Sequence, residues 1–266
     1  MRYARQSSLV DTAWRLVLEL RLAERWDRDA GSSFAQNVAA FNSDPEIIRH
    51  ALGRAKQYET HEKTFLGPPS LTSPLQPVLG RRRSTPPTAQ AVTLPQLETL
   101  LTDSFGVTRI DKTRVGDATI HKRTYPSPGA LYPCEVYILV ADVTGLEKGV
   151  YHYNPTSRSL SSIQREASLD MLLQPFFGLK NGFACAIVVS GILSRVIEKY
   201  ALRAYRFMCL EAGHMGQNVC LSAAALNLSC TAWGAYYDAE LNEIIGLDGR
   251  DESVLHTLLI GGPPEG

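Results

Sequence analysis

Three apolar, β-branched runs, at 135–143, 184–193 and 254–261, constrain most tightly what this chain can become. Each has the length and composition of a buried strand, and none approaches the roughly 20 residues that a bilayer-spanning helix requires. Between the last two runs, residues 205–226 have the length and apolar spacing of one long helix, which carries Gly213 and Gly216. A further helix is predicted from Leu94 to Phe105, stopped by Gly106. Val150 to Tyr153 and Ser159 to Gln164 flank the turn-forming cluster Asn154-Pro155-Thr156-Ser157 and read as a hairpin. Helices and strands mixed in this order predict an α+β domain, without internal repeats.

The first quarter reads as helical. Val10, Ala13, Trp14, Val17, Leu18 and Leu22 recur at helical spacing, and Asp44-Pro45 offers an N-cap with proline at the first position of a second helix, near 45–58. Seven prolines between Gly67 and Pro95 predict an extended connector. The chain is therefore divided into an N-terminal helical region, 1–66, a candidate surface for a leader peptide or partner, and a domain at 67–266. Arg2, Arg5, Arg15, Glu19 and Arg21 interrupt the first apolar stretch, which argues against a signal peptide and for a cytoplasmic protein. Basic and acidic residues balance at 27 each, so no global field draws the chain to nucleic acid or to an anionic membrane. The five cysteines contain no CxxC pair and are expected to be reduced and mostly packed, with no metal site.

Four stretches carry candidate chemistry. Arg81-Arg82-Arg83-Ser84 suits bidentate phosphate binding, and equally a solvated basic patch. Tyr125-Pro126-Ser127-Pro128-Gly129-Ala130-Leu131-Tyr132-Pro133 leads into the strand at 135, and its prolines and glycine fix a backbone that can approach a flat ligand or simply make a tight turn. In Glu198 to Arg206, Lys199, Arg203 and Arg206 would share one face if the segment is helical; an amine beside the Tyr200 hydroxyl suits proton transfer, whereas a solvated helix face is the plainer reading. In Trp233-Gly234-Ala235-Tyr236-Tyr237-Asp238, backbone amides could face a ligand edge.

Together these stretches resemble the SagB-type azoline dehydrogenases of the FMN-dependent nitroreductase superfamily, over roughly residues 78–262; the hairpin element Gly149-Val150-Tyr151-His152-Tyr153 is similar to that family as well. The resemblance implies a nitroreductase-like three-layer sandwich, with a mixed, mainly antiparallel sheet between helices, and a homodimer with FMN at the interface. It implies that Arg82, Arg83 and Ser84 hold the FMN phosphate and ribityl chain, although Pro86 stands where relatives often carry another arginine. Ser127, Gly129 and Ala130 become flavin contacts, Gln217 and Asn218 lie near the cofactor on the long helix, and Gly234 and Ala235 follow the flavin ring. Lys199 and Tyr200 are the implied catalytic pair, while His214 receives no catalytic role. The implied activity is oxidation of peptide thiazolines or oxazolines to thiazoles or oxazoles, with an azoline-containing precursor peptide as substrate and a cyclodehydratase as a candidate partner. Two alternatives stand beside it: a general NAD(P)H-dependent nitro or quinone reductase, and a flavin-free scaffold subunit of a peptide-modifying complex.

Overall fold

The computed structural model describes residues 2–51, 73–112, 119–165 and 167–264. Helices α1 (Arg2–Glu24) and α2 (Arg28–Ser43) precede α3 (Pro45–Ala51), at whose start Asp44 Oδ1 accepts from the Glu46 amide at 2.8 Å. The predicted continuation to residue 58, the boundary at 66/67 and the prolines at 68 and 69 lie outside the described residues. The connector is not extended throughout. It contains a short helix, α4 (Gln76–Arg81), with Pro77 in its first turn, where the missing N–H would have had no helical partner.

After the two-residue strand β1 (Val92–Thr93), helix α5 (Leu94–Phe105) starts with a reciprocal cap between Thr93 and Gln96 and ends at Gly106, as its residues predict. A hairpin of β2 (Val107–Lys112) and β3 (Thr119–Arg123) follows. None of its side chains is fully buried and Ile110 is exposed, so no buried alternation marks it in the sequence. The remaining elements are β4 (Cys134–Val140), β5 (Val143–Thr144), β6 (Gly149–Asn154), β7 (Ser159–Arg165), α6 (Leu169–Leu173), β8 (Cys185–Ile192), α7 (Ser194–Tyr200), α8 (Arg203–Ala225), β9 (Ser229–Ala232), α9 (Asp238–Ile245) and β10 (Glu252–Gly261).

The main sheet has the order β7-β6-β4-β8-β10-β9, and every neighbouring pair in it is antiparallel. Among the described residues, parallel pairing is confined to the separate β1–β5 ladder. Period-two alternation divides the core between the two faces of the sheet. Val136, Ile138 and Val140 of β4, with Ile187 and Val189 of β8, pack beneath α5 and α8. Tyr137 and Leu139, with Ala186 and Val188, face α6 and α9. Both faces are covered, so β4 and β8 read as continuous apolar runs, and burying each of their Ile, Leu and Val side chains is worth about 2 kcal/mol. This is the three-layer arrangement that the family resemblance implies, except that the six-stranded sheet is antiparallel throughout rather than mixed.

A third cluster joins α1 to this domain. Val10, Ala13 and Val17 pack against Val196 and Ile197 of α7 and Met208 of α8. Arg21 donates to the carbonyls of Arg250 at 2.6 Å and Gly191 at 3.5 Å. Among the described residues, no helix is long and apolar enough to cross a membrane.

Candidate functional site

The segment carrying Lys199 and Tyr200 is not one helix. α7 ends at Tyr200, Ala201 adopts φ 46° and ψ −131°, and α8 begins at Arg203. Lys199 therefore does not share a helical face with Arg203 and Arg206, and the expected row of three cations is broken. A non-glycine residue in this backbone region costs about 1–3 kcal/mol, which the packing of α1, α7 and α8 must offset. Its effect is to leave Lys199 exposed on the last turn of α7 and to turn the Tyr200 ring edge-on to Phe207 of α8, at 4.8 Å between centroids. Lys199 Nζ stands 5.2 Å from the centre of the Tyr200 ring.

Against this corner lies the Pro-Ser-Pro-Gly-Ala-Leu-Tyr-Pro loop. Gly129, Ala130 and Tyr132 have φ of 60°, 55° and 48°. Ser127 Oγ accepts from the Tyr132 amide at 2.8 Å and closes the turn. A Cβ on Gly129 would collide with Tyr200 Oη and Lys199 Nζ, the movable ends of both side chains, so a larger residue here would push the pair aside. The structure thus brings Ser127, Gly129 and Ala130 together with Lys199 and Tyr200. Among the described residues neither the Lys199 amine nor the Tyr200 hydroxyl has a hydrogen-bond partner, which leaves both free for a ligand.

Three residues to which the sequence reading gave no role hold this corner. Arg195, one turn before Lys199, donates to the Tyr132 carbonyl at 3.3 Å and to Glu135 Oε1 at 2.5 Å, tying α7 to the end of the loop. Glu135 Oε2 also pairs with His152 Nε2 at 2.8 Å. Burial opposes the charge on Glu135, but His152 and Arg195 hold it below the usual carboxylate range. Glu211 of α8 is fully buried beneath the loop, where Oε1 accepts from the Cys134 amide at 3.4 Å and Oε2 has no partner. Burial pushes its carboxyl up to about 7, with the Ser127 hydroxyl and the Cys134 amide moderating the rise. The signal was present in the sequence: Glu211 falls between Met208, Ala212 and Met215 on the apolar stripe of its helix.

The other predicted residues lie elsewhere. Arg82, half-buried, and Ser84, exposed, have no ion pair and no side-chain hydrogen bond among the described residues, whereas Arg83 donates to the carbonyls of Gly80 and Arg82 at 2.8 and 3.0 Å and closes off α4. The next residue, Thr85, is joined to β9 by three bonds, to the Cys230 amide and carbonyl and to the Thr231 hydroxyl. Beyond β9, Gly234 is exposed, with open space where a Cβ would stand. It borders a cavity of about 330 Å³ that is also lined by Tyr205 and Cys209 of α8 and by Glu24 and Trp26. The Ala235 carbonyl accepts from the Phe177 amide and from Trp233 Nε1. On α8, Gln217 points outward, while Asn218 Nδ2 donates to the carbonyls of Ser104 and Thr124 at 3.2 and 3.4 Å. Arg82 lies by Cys220 and Ser127 by Glu211, positions that stand roughly 13 Å apart along α8. One chain therefore holds the arginine–serine group and the lysine–tyrosine corner at separate places on the same helix.

The sequence profile of the Nitroreductase family matches residues 81–262, from the arginine run to the end of the sheet. The protein named Putative nitroreductase MJ1384 in Methanocaldococcus jannaschii is 34% identical over 177 residues, which are 64% of this chain and 83% of that protein. The Microcin B17-processing protein McbC of Escherichia coli is 32% identical over 155 residues, 53% of this chain but only 54% of McbC, so the match spans about half of that relative. Among solved structures, a chain of the E. coli microcin synthetase McbBCD complex with truncated pro-MccB17 bound aligns over 92% of this chain and 97% of its own, with a TM-score of 0.58 and 24% identity, a likeness of fold. With well over half of its length matched by one family profile, the chain belongs to the Nitroreductase family of oxidoreductases.

Proposed function

We propose that this chain is an FMN-dependent dehydrogenase that oxidises thiazolines or oxazolines in a ribosomally made peptide to the aromatic thiazoles or oxazoles, in the cytoplasm. The observation that carries the reading is the contact of Gly129 with Lys199 and Tyr200, because it holds an amine and a phenol with free polar ends against a loop built for close approach. The kinship with McbC, a microcin-processing protein, supports a peptide substrate and a cyclodehydratase partner.

The residues present fit FMN. Arg82 and Ser84 are free to meet a phosphate, and the open space at Gly234 admits a flat ring to the backbone. FMN bound there supplies the two-electron acceptor for hydride leaving the azoline ring. The protein's own task is the proton: the adjoining ring carbon loses it to the Lys199 amine, and the Tyr200 hydroxyl orients or relays it. Positioned general bases contribute roughly 10²–10⁴-fold, so Lys199→Ala should lower turnover by about that factor while FMN uptake is unchanged. The corner and the arginine–serine group stand apart in one chain, which supports a homodimer in which each subunit completes the other's site.

The decisive assay incubates FMN-loaded protein with an azoline-bearing peptide and follows the loss of two hydrogens by mass spectrometry. The kinship with MJ1384 favours a second reading, a general nitro or quinone reductase. Rapid NAD(P)H consumption that is indifferent to Lys199→Ala, without change in the peptide, would establish that reading instead.

A further inference from the structure

Cys220 and Cys230 belong to no part of the proposed reaction, and nothing in their sequence spacing marks them as a pair. The fold brings them together: Cys220 lies on α8, Cys230 on β9, and the Cys230 thiol points at Cys220 Sγ from 3.9 Å. Cys230 is buried and Cys220 is half-exposed, so one sulfur is reachable from solvent and the other waits behind it. Arg82 is the cation next to both sulfurs. The Cys230 thiol donates to Cys220, and with Arg82 nearby this holds the Cys220 thiol below its ordinary value against its partial burial, whereas Cys230 is pushed up. A thiol so placed is the nucleophile and its partner the resolving group.

We propose that Cys220 and Cys230 form an oxidisable dithiol that closes to an intramolecular disulfide under a peroxide. In the first step the Cys220 thiolate attacks one oxygen of hydrogen peroxide; the O–O bond breaks, giving a sulfenic acid and hydroxide, which takes up the proton that the thiol released. In the second, the sulfur of Cys230 attacks the sulfenic sulfur, the S–O bond breaks, and water leaves with the Cys230 proton. Two thiols and one peroxide become one disulfide and two waters. The separation of 3.9 Å has to shrink to about 2 Å, a change within reach of side-chain rotation on neighbouring elements. Closure acts on the arginine–serine group, because Thr85, beside Ser84, is bonded to both the amide and the carbonyl of Cys230.

The test uses the full chain with added hydrogen peroxide and does not depend on turnover, so it stands or falls separately from the azoline reading. Free thiols are blocked with an alkylating agent, and chymotryptic peptides, cut between the two cysteines at Leu221, Leu226 and Leu228, are mapped by mass. The expected result is loss of two of the five thiols with Cys220 linked to Cys230. Cys209→Ser, which removes the exposed thiol, should leave that loss unchanged, and Cys220→Ser should abolish it. Five intact thiols, sulfinic acid at Cys220 without a cross-link, or a disulfide between chains would each overturn the proposal.

Discussion

Gly129 occupies a position where backbone and contact make the same demand. Its φ of 60° is open to glycine at little cost, and its Cβ direction runs into the Lys199 and Tyr200 side chains. Gly129→Ala should therefore displace the pair and lower turnover at least about tenfold, an offset of only an ångström or so being enough, while stability falls only by the roughly 1–2 kcal/mol that alanine costs at positive φ. Steady-state kinetics beside thermal unfolding would separate the two effects, and unaltered turnover would refute the contact. Glu211 makes a different demand, on protons. Its carboxyl stands at about 7 in the folded chain, against 4.5 as its ordinary value. Between the two the folded chain keeps a proton that the unfolded chain has released, so this group's contribution to stability falls as pH rises through that window, by up to roughly 3.5 kcal/mol in all. Glu211→Gln, which cannot ionise, removes this slope. Denaturant midpoints at about pH 5 and about pH 8 should show the variant gaining on the wild type at the higher pH, and a constant difference would sink the idea.

At the level of elements, the break between α7 and α8 decides how Lys199 and Tyr200 are presented. Alanine is a strong helix former, and nothing in Glu198 to Arg206 announces a stop, so the turn at Ala201 had no local signal. It is imposed from outside, by α1 on one side and by the Arg195 bridge to Glu135 and Tyr132 on the other. The elements with strong local signals were legible: α5 between Thr93 and Gly106, the β6–β7 hairpin around Asn154-Pro155, and the long α8. Short or polar ones such as α4 and the β2–β3 hairpin were not, because their residues bury little and so carry no period. The site followed the same division. Loop and lysine–tyrosine motifs were readable as contiguous stretches, whereas Arg195, Glu135 and the approach of Cys220 to Cys230 depend on tertiary pairing. If α1 sets the corner, disrupting it should act at a distance. Ala13, fully buried between α1 and α7, replaced by Glu should cost roughly 2–4 kcal/mol and lower kcat more than it raises KM. A variant that loses stability but keeps kcat would show that α1 only braces the fold.

For the whole molecule, the described residues leave the outer face of α8 uncovered. One side of that helix lies on the sheet through Met208, Ala212, Met215 and Val219, while Leu210, Gly213, His214 and Gln217 face outward, with open space beside Gly213. Leu210 is 52% exposed on this face. The arginine–serine group and the lysine–tyrosine corner stand at different points along the same helix, so a second copy packed across this face would set one group of each chain near the other group of its partner. Small residues permit that approach, and a large charged one would forbid it. Gly213→Arg adds bulk where the single chain has room, so the fold and its melting temperature should be kept while light scattering reports a monomer. If the site is shared between copies, that monomer should also lose FMN on gel filtration, with its flavin absorbance passing into the small-molecule fraction. A monomeric variant that retained bound FMN would mean that one chain suffices, and the separation of the two groups would then have to be bridged within it.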